Sequence, residues 1–327
     1  MKTDVRGRDF VTTQDWSVEE LDEALQLASE LKAARAAGKP TDLLRAKTLY
    51  MIFFDASTRT RNSFETGITQ LGGHGIYLSP DKMQISHGEN AKDTANVLSR
   101  YGEGIAIRHC AFGEGNAYIR EVAHYASVPV ISMQCDIYHP CQILADLMTI
   151  RERFGTNTRG LKLGVAWTSA PNYVRPLSVP QSLIQLMPRF GIDVILACPP
   201  EFRLMPEIEA QAKANAEAAG SYFGITDCFE EAFTDAIVVV PMFPHTLTSR
   251  PLVVRGQSRI KVVVGESEAE PHASCDSQVD LTLRPGDEVL VSKHDTPLTL
   301  IYPLDHSFYG SCRSKLDWAS RLGGTRD

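Results

Sequence analysis

Between Leu49 and Ile225 the chain repeats one unit: a short apolar run, then a longer stretch whose apolar residues recur at helical spacing. Strand-like runs fall at Leu49–Phe54, Gly75–Leu78, Gly104–Arg108 and Val128–Ser132, and again at Leu161–Trp167, Asp193–Ala197, Tyr222–Ile225 and Ala236–Val240. Helical patterns fill the gaps, as in Ile143, Leu147 and Ile150 at i, i+4 and i+7. A first helix is expected over 16–37, where Leu21, Leu25, Ala28 and Leu31 share a face. Regular strand–helix alternation implies parallel sheets covered on both faces, because parallel neighbours need a crossover. A chain of 327 residues exceeds the roughly 250–300 that one core serves. The pattern restarts after RERFGTNTRG. The expected fold is therefore α/β, with two doubly wound parallel-sheet domains at about 1–150 and 151–327.

After about Pro241 the alternation fails. The sequence there has strand-like runs but no convincing amphipathic helix, and SKLDWASRLGG is short for a terminal helix. The stretch from 241 is atypical for a doubly wound domain. A frameshifted or strongly diverged reading frame would produce such a loss.

Charge narrows the partners. A formal net charge of −7 argues against a general nucleic-acid binder or a ligand of anionic membranes. No run approaches the roughly 18 apolar residues of a membrane span, and MKTDVRGRDF lacks the apolar core of a signal peptide. Seven scattered cysteines with no C-x-x-C pair suit free thiols in a reducing compartment, so a cytoplasmic location is expected.

Two arginines, two threonines and two serines crowd into Ser57–Ser63 of DASTRTRNSFE, Asp55–Glu65, directly after the first strand, and a helix is expected to start near Arg61. Ligands of open α/β sheets sit at the carboxyl ends of strands, and a helix N-terminus attracts anions. Ser57, Thr58 and Thr60 add hydroxyls and Arg59 a bidentate guanidinium. Two readings stand on the residues alone: a phosphate cradle without glycines, or a solvated turn whose hydroxyls cap a helix. No Walker A loop is present, and Gly113-Glu114-Gly115 lacks the third glycine of a dinucleotide fingerprint. Arg108 ends another strand, where a plain surface arginine is the alternative. His139 and Gln142 open a later helix at i and i+3, so both can face one ligand. His109, Cys135, His139 and Cys141 lack the spacing of a structural zinc site, and no metal is expected.

These motifs, in this order, carry a resemblance. DASTRTRNSFE resembles the S-T-R-T-R signature of the aspartate and ornithine carbamoyltransferase family, IAIR its arginine-bearing strand, and HPCQ its H-P-x-Q motif. DKMQISHGENAKDTANVLSRY resembles the loop and helix between them. The likeness covers about 45–155. WTSAPNYVRPLSVPQSL resembles the second-domain start of the knotted branch, in which a proline-rich loop is threaded. Within that branch the chain looks closest to members with an unassigned acceptor, with likeness to about Val240.

The resemblance implies transfer of a carbamoyl group from carbamoyl phosphate to an amine, with release of phosphate and no cofactor. Ser57, Thr58, Arg59 and Thr60 would hold the phosphate. Arg108 would bridge phosphate and carbonyl oxygens. Thr60 and His139 would donate to the carbonyl oxygen, and Gln142 would accept from the carbamoyl NH₂. Gln84 would reach a neighbouring subunit's site, implying a homotrimer with shared active sites. Asn172 falls near a position that touches the acceptor. The acceptor motifs D-x-x-x-S-M-G, H-C-L-P and H-P-L-P are absent. A non-catalytic carbamoyl-phosphate-binding paralogue with a degenerate acceptor site therefore stands beside the enzyme reading. An unrelated phosphate-ligand α/β enzyme is the third reading.

Overall fold

The structure, a computed structural model, describes residues 3–167, 177–227, 236–239, 252–266, 271–275 and 279–294. The first helix, α1 (Val18–Ala36), begins at a capping box: Ser17 accepts from the Glu20 amide, and the Glu20 carboxylate accepts from the Ser17 amide. The alternation then unfolds in order: β1 (Thr48–Phe53), α2 (Thr58–Gln70), β2 (His74–Leu78), α3 (Ala91–Tyr101), β3 (Gly104–His109), α4 (Gly115–Tyr125), β4 (Val130–Cys135) and α5 (Pro140–Phe154). These strands form one parallel sheet in the order β2-β1-β3-β4. The chain steps from β1 to β2 on one side, then crosses back to place β3 on the other side of β1. The topological switch point lies between β1 and β3, where ligands of such sheets collect.

Side chains alternate across the sheet, and each set finds its own cover. Ile52, Ile105, Ile107 and Val130 pack with Ala91, Ala95, Ile119 and Val122 of α3 and α4. Met51, Phe53, Ala106 and Met133 pack on the other face, against Phe64 and Tyr77. A second parallel sheet, in the order β5-β6-β7, follows from β5 (Lys162–Ala166), α6 (Ser178–Leu186), β6 (Asp193–Ala197), α7 (Pro206–Ala219) and β7 (Phe223–Thr226). Its core of Val165, Val194, Leu196, Ile184, Ile208 and Ala212 is continuous with Leu21, Leu25, Ile143 and Leu147 of α1 and α5.

The remaining elements differ from the expected continuation. Residues Phe233–His306 form a separate compact unit. In it β8 (Ala236–Val239) pairs antiparallel with β9 (Leu252–Arg255) rather than extending the second sheet. Antiparallel pairs also join β10 (Ile260–Val263) to β13 (Glu288–Val291), and β11 (His272–Cys275) to β12 (Val279–Thr282). The proline-rich segment 168–176, with Asn172 and any threading, lies outside the described residues. Among the described residues no helix is long and apolar enough to cross a membrane.

Gly113 and Gly115 build the turn from β3 to α4. Gly113 sits at φ +79°, a left-handed conformation that suits glycine. Both oxygens of the Asp136 carboxylate hold the turn, accepting from the Gly113 amide at 2.9 Å and the Asn116 amide at 2.7 Å. A Cβ on Gly115 would stand 1.9 Å from the His109 carbonyl oxygen. Gly115→Ala is therefore expected to lower stability by about 3 kcal/mol or more, since backbone must move. Chemical denaturation against wild type measures it.

Candidate active site

The first sheet's register brings the carboxyl ends of three strands together. Phe53 of β1 lies opposite Arg108 of β3, and Arg108 lies opposite Gln134 of β4. Pairing continues past β1, as the Phe54 amide donates to the Arg108 carbonyl at 2.9 Å. Asp55 then accepts from the Cys110 amide at 2.7 Å. These bonds fix where the loop leaves the sheet.

Helix α2 begins at Thr58, earlier than the Arg61 start expected from sequence. Ser57 is its N-cap, and the Ser57 hydroxyl oxygen accepts from the Thr60 amide at 3.2 Å. The Ser57 hydroxyl hydrogen is thereby left to donate elsewhere. The amides of Thr58 and Arg59 stand in the first turn, with no carbonyl four residues back inside the helix. The turn thus presents amides, hydroxyls and the positive end of a helix dipole at one sheet edge.

The two arginines at the start of α2 separate. Arg61 lies 3.9 Å over the Tyr77 ring and pairs with Glu65 at 3.2 Å. Arg59 is exposed and makes no ion pair among the described residues. A groove of about 680 Å³ runs beside α2, lined by Ser57, Thr58, Arg61, Glu65 and Tyr77 among others. Arg108 and His139 are not part of its wall. The constellation at the sheet edge, rather than this groove, gathers the chemistry.

Arg108 is half-buried, and its guanidinium Nη1 donates to the Gln134 side-chain oxygen. Its Nε is buried without a partner. A tight turn leads from β4 to α5: the Cys135 amide donates to the Tyr138 carbonyl at 2.8 Å, and the Tyr138 amide to Cys135 Sγ at 3.1 Å. His139 follows as the residue before Pro140, the first residue of α5. Its backbone amide donates to Ser182 Oγ at 2.9 Å, while ring Nδ1 is buried without a partner. Burial, and then the charge of Arg108, lower the His139 pKa to about 4. The imidazole is neutral at ordinary pH, suited to donating one ring N–H and ill suited to taking a proton.

The other expected residues stand apart in character. Gln142 is exposed and donates to Asp146 at 2.9 Å. Gln84 is exposed on a 3₁₀ turn, Gln84–His87, after β2. His109 stacks on Phe54 with ring centroids 4.0 Å apart, so it serves packing. Burial pushes the thiols of Cys110, Cys135 and Cys141 up to about 12, which keeps them protonated and poor nucleophiles. Among the described residues no His, Cys, Asp and Glu cluster could hold a metal. Gln134, Ser178 and Ser182 were not anticipated. The only sequence signal for the serines is a polar stripe at helical spacing.

Fold and site together define a parallel α/β protein with a helix N-terminus, an arginine and a neutral histidine at the carboxyl ends of adjacent strands. Residues 8–152 match the family of aspartate/ornithine carbamoyltransferase carbamoyl-P binding domains. The ornithine carbamoyltransferase of Carboxydothermus hydrogenoformans is 43% identical over 235 residues, covering 72% of each chain. YgeW of Escherichia coli (strain K12) is 40% identical over 248 residues, covering 72% of this chain and 63% of YgeW. The solved ornithine carbamoyltransferase from Pyrococcus furiosus is 38% identical, with a TM-score of 0.63 over 68% of this chain and 67% of that one. A variant of N-acetyl-L-ornithine transcarbamylase, solved with carbamyl phosphate and N-succinyl-L-norvaline, is 32% identical with a TM-score of 0.63, covering 70% and 73%. This chain belongs to the aspartate/ornithine carbamoyltransferase family. It spans less than two thirds of the length of YgeW.

Residues 232–302 match a different family, the ATP-NAD kinase C-terminal domain. This corrects the expectation of a frameshifted or merely diverged end. The segment has a family likeness of its own, which a shifted frame would not carry, and it falls on the separate compact unit.

The buried neutral imidazole of His139 makes stability pH-dependent. The unfolded state binds a proton near pH 6.5, the folded state only near 4, so stability rises with pH across that window. It is fully present above about 6.5 and is lost as pH falls to about 4, by on the order of 3 kcal/mol. Denaturation of His139→Asn across the same range is expected to lose that part of the slope.

Proposed function

We propose that this chain binds carbamoyl phosphate at the carboxyl edge of its first sheet and transfers the carbamoyl group to an amine. The observation that carries this is that α2's first turn, Arg108 and neutral His139 stand at or just past the carboxyl ends of the adjacent strands β1, β3 and β4. The phosphate would take the Thr58 and Arg59 amides, the hydroxyls of Ser57, Thr58 and Thr60, and the Arg59 guanidinium. Arg108 would span phosphate and carbonyl oxygens with the donors not committed to Gln134. Thr60 and His139 would donate to the carbonyl oxygen as it gains charge, and Gln142 would accept from the carbamoyl NH₂ after leaving Asp146.

The chemistry follows from these roles. The amine nitrogen attacks the carbonyl carbon and a C–N bond forms. The tetrahedral oxyanion collapses, the bond between the carbonyl carbon and the bridging oxygen breaks, and inorganic phosphate leaves, taking up the proton that the nitrogen loses. Fixed donors aimed at the oxyanion lower this barrier without reorganising, and holding donor and amine together removes most of the entropic cost. His139, held neutral, acts as a donor rather than a base. The acceptor is an amino-acid-like or related amine, and Asn172, outside the described residues, is the position the resemblance puts near it. The exposed Gln84 would reach the site of a neighbouring chain in a homotrimer. A cytoplasmic setting fits protonated free thiols.

One observation favours a second reading, binding without transfer. The segment 232–302, where acceptor motifs would be sought, matches a different family. Such a chain would keep the donor half and lack a working acceptor half.

Titration calorimetry of the full chain with carbamoyl phosphate tests the donor half. Micromolar binding is expected, weakened at least tenfold in Arg59→Ala and abolished in Arg108→Ala. No binding by folded wild type sinks the proposal. Phosphate release with a panel of amines then separates the two readings. Where turnover is found, His139→Ala is expected to cost roughly 10²–10³ in rate. Light scattering giving anything but three chains per particle removes the shared-site assignment of Gln84.

A further inference from the structure

Helix α6 is buried on a polar stripe. Ser178, Gln181, Ser182 and Gln185 recur at i, i+3, i+4 and i+7, and none is more than 3% exposed. Helices normally bury such a stripe as apolar side chains. Here three of the four rungs reach the segment 134–139. Ser178 Oγ accepts from Gln134 Nε2 at 2.9 Å, Gln181 Nε2 donates to the Ile137 carbonyl at 3.0 Å, and Ser182 Oγ accepts from the His139 amide at 2.9 Å. Gln181 Oε1 also accepts from the Met205 amide at 3.2 Å, which fixes that amide's orientation.

We infer that Gln134, anchored by Ser178, is a positioning residue that aims Arg108 at the carbamoyl donor, and that Ser182 does the same for His139. This rests on the donor-site reading above. Gln134 is buried, and its amide is fully directed: the NH₂ donates to Ser178, so the carbonyl must face Arg108 Nη1. One donor of the guanidinium is thereby held, and the plane of the group is set. Because Gln134 is neutral, it orients the cation without cancelling its charge. A carboxylate at that position would do both. The chain thus ties its donor site to the helix that follows the 168–176 segment.

That difference between orientation and charge gives a test that simple structural support would not pass. Gln134→Glu keeps an acceptor for Arg108 and is expected to fold with wild-type stability or better. Its affinity for carbamoyl phosphate and for inorganic phosphate is nevertheless expected to fall at least tenfold, by calorimetry on the full chain. Gln134→Leu is expected to weaken binding severalfold. Ser178→Ala should lose affinity, Ser178→Thr should recover it, and Ser178→Ala added to Gln134→Leu should cost nothing more, as one coupled unit demands. Wild type that binds, Arg108→Ala that does not, and Gln134→Glu within twofold of wild type would overturn this inference and leave the donor-site reading standing. Failure of wild type itself to bind would overturn both.

Discussion

Everything chemical in this protein hangs from the parallel pairing of β1 with β3. Their register sets Phe53 opposite Arg108, and the Phe54 and Asp55 bonds carry the pairing past the sheet into the loop. Because the chain reverses its winding between these strands, no crossover helix closes the gap above them. The start of α2 follows β1 on one side of that gap, and Arg108, at the end of β3 on the other, turns its guanidinium to Gln134 of β4. The hydrophobic sets on the two faces, Ile52 and Ile107 against Met51 and Phe53, keep the register from slipping, since a shift of one residue would turn each set to the wrong cover.

Burial then tunes what the sheet has gathered. The same desolvation that makes His139 a neutral donor holds Cys110 and Cys141 as protonated thiols. Neither thiol is thereby a ready nucleophile. Under the proposed reading, such a site holds and polarises a donor molecule and leaves attack to an incoming group.

Much of this was legible in the sequence, for a definite reason. Strand ends and helix starts are marked by local chemistry, so the positions of Ser57, Arg108 and His139 at strand–helix junctions followed from periodicity. The start of α2 was set too late because Ser57, Thr58, Thr60 and Ser63 are all fit to cap a helix, and only three-dimensional geometry selects Ser57. The sequence treats Arg59 and Arg61 alike; Tyr77 and Glu65, which engage Arg61, come from outside the motif or from the next turn. Gln134 and the stripe on α6 were missed because pattern reading searches for apolar stripes, and four polar residues at helical spacing look like a solvated face. The region beyond 232 broke the α/β rhythm because its likeness lies with another family and its strands pair as antiparallel ribbons.

The polar face of α6 also has a mechanical meaning. On one side, α1 and α5 share a continuous oily core with the second sheet through Leu21, Leu25, Ile143 and Leu147. Separating those surfaces would expose apolar area, which water resists. The α6 side belongs to the same core through Ile184 and Leu186, with Ile137 and Tyr138 packed against it, and its hydrogen bonds to residues 134–139 are buried within that apolar surround, where leaving a partner unpaired is costly. The two sheets are therefore welded by apolar surface on both sides, and the polar bonds inside that weld act as alignment pins: they fix where α6 meets residues 134–139 rather than how tightly the sheets hold.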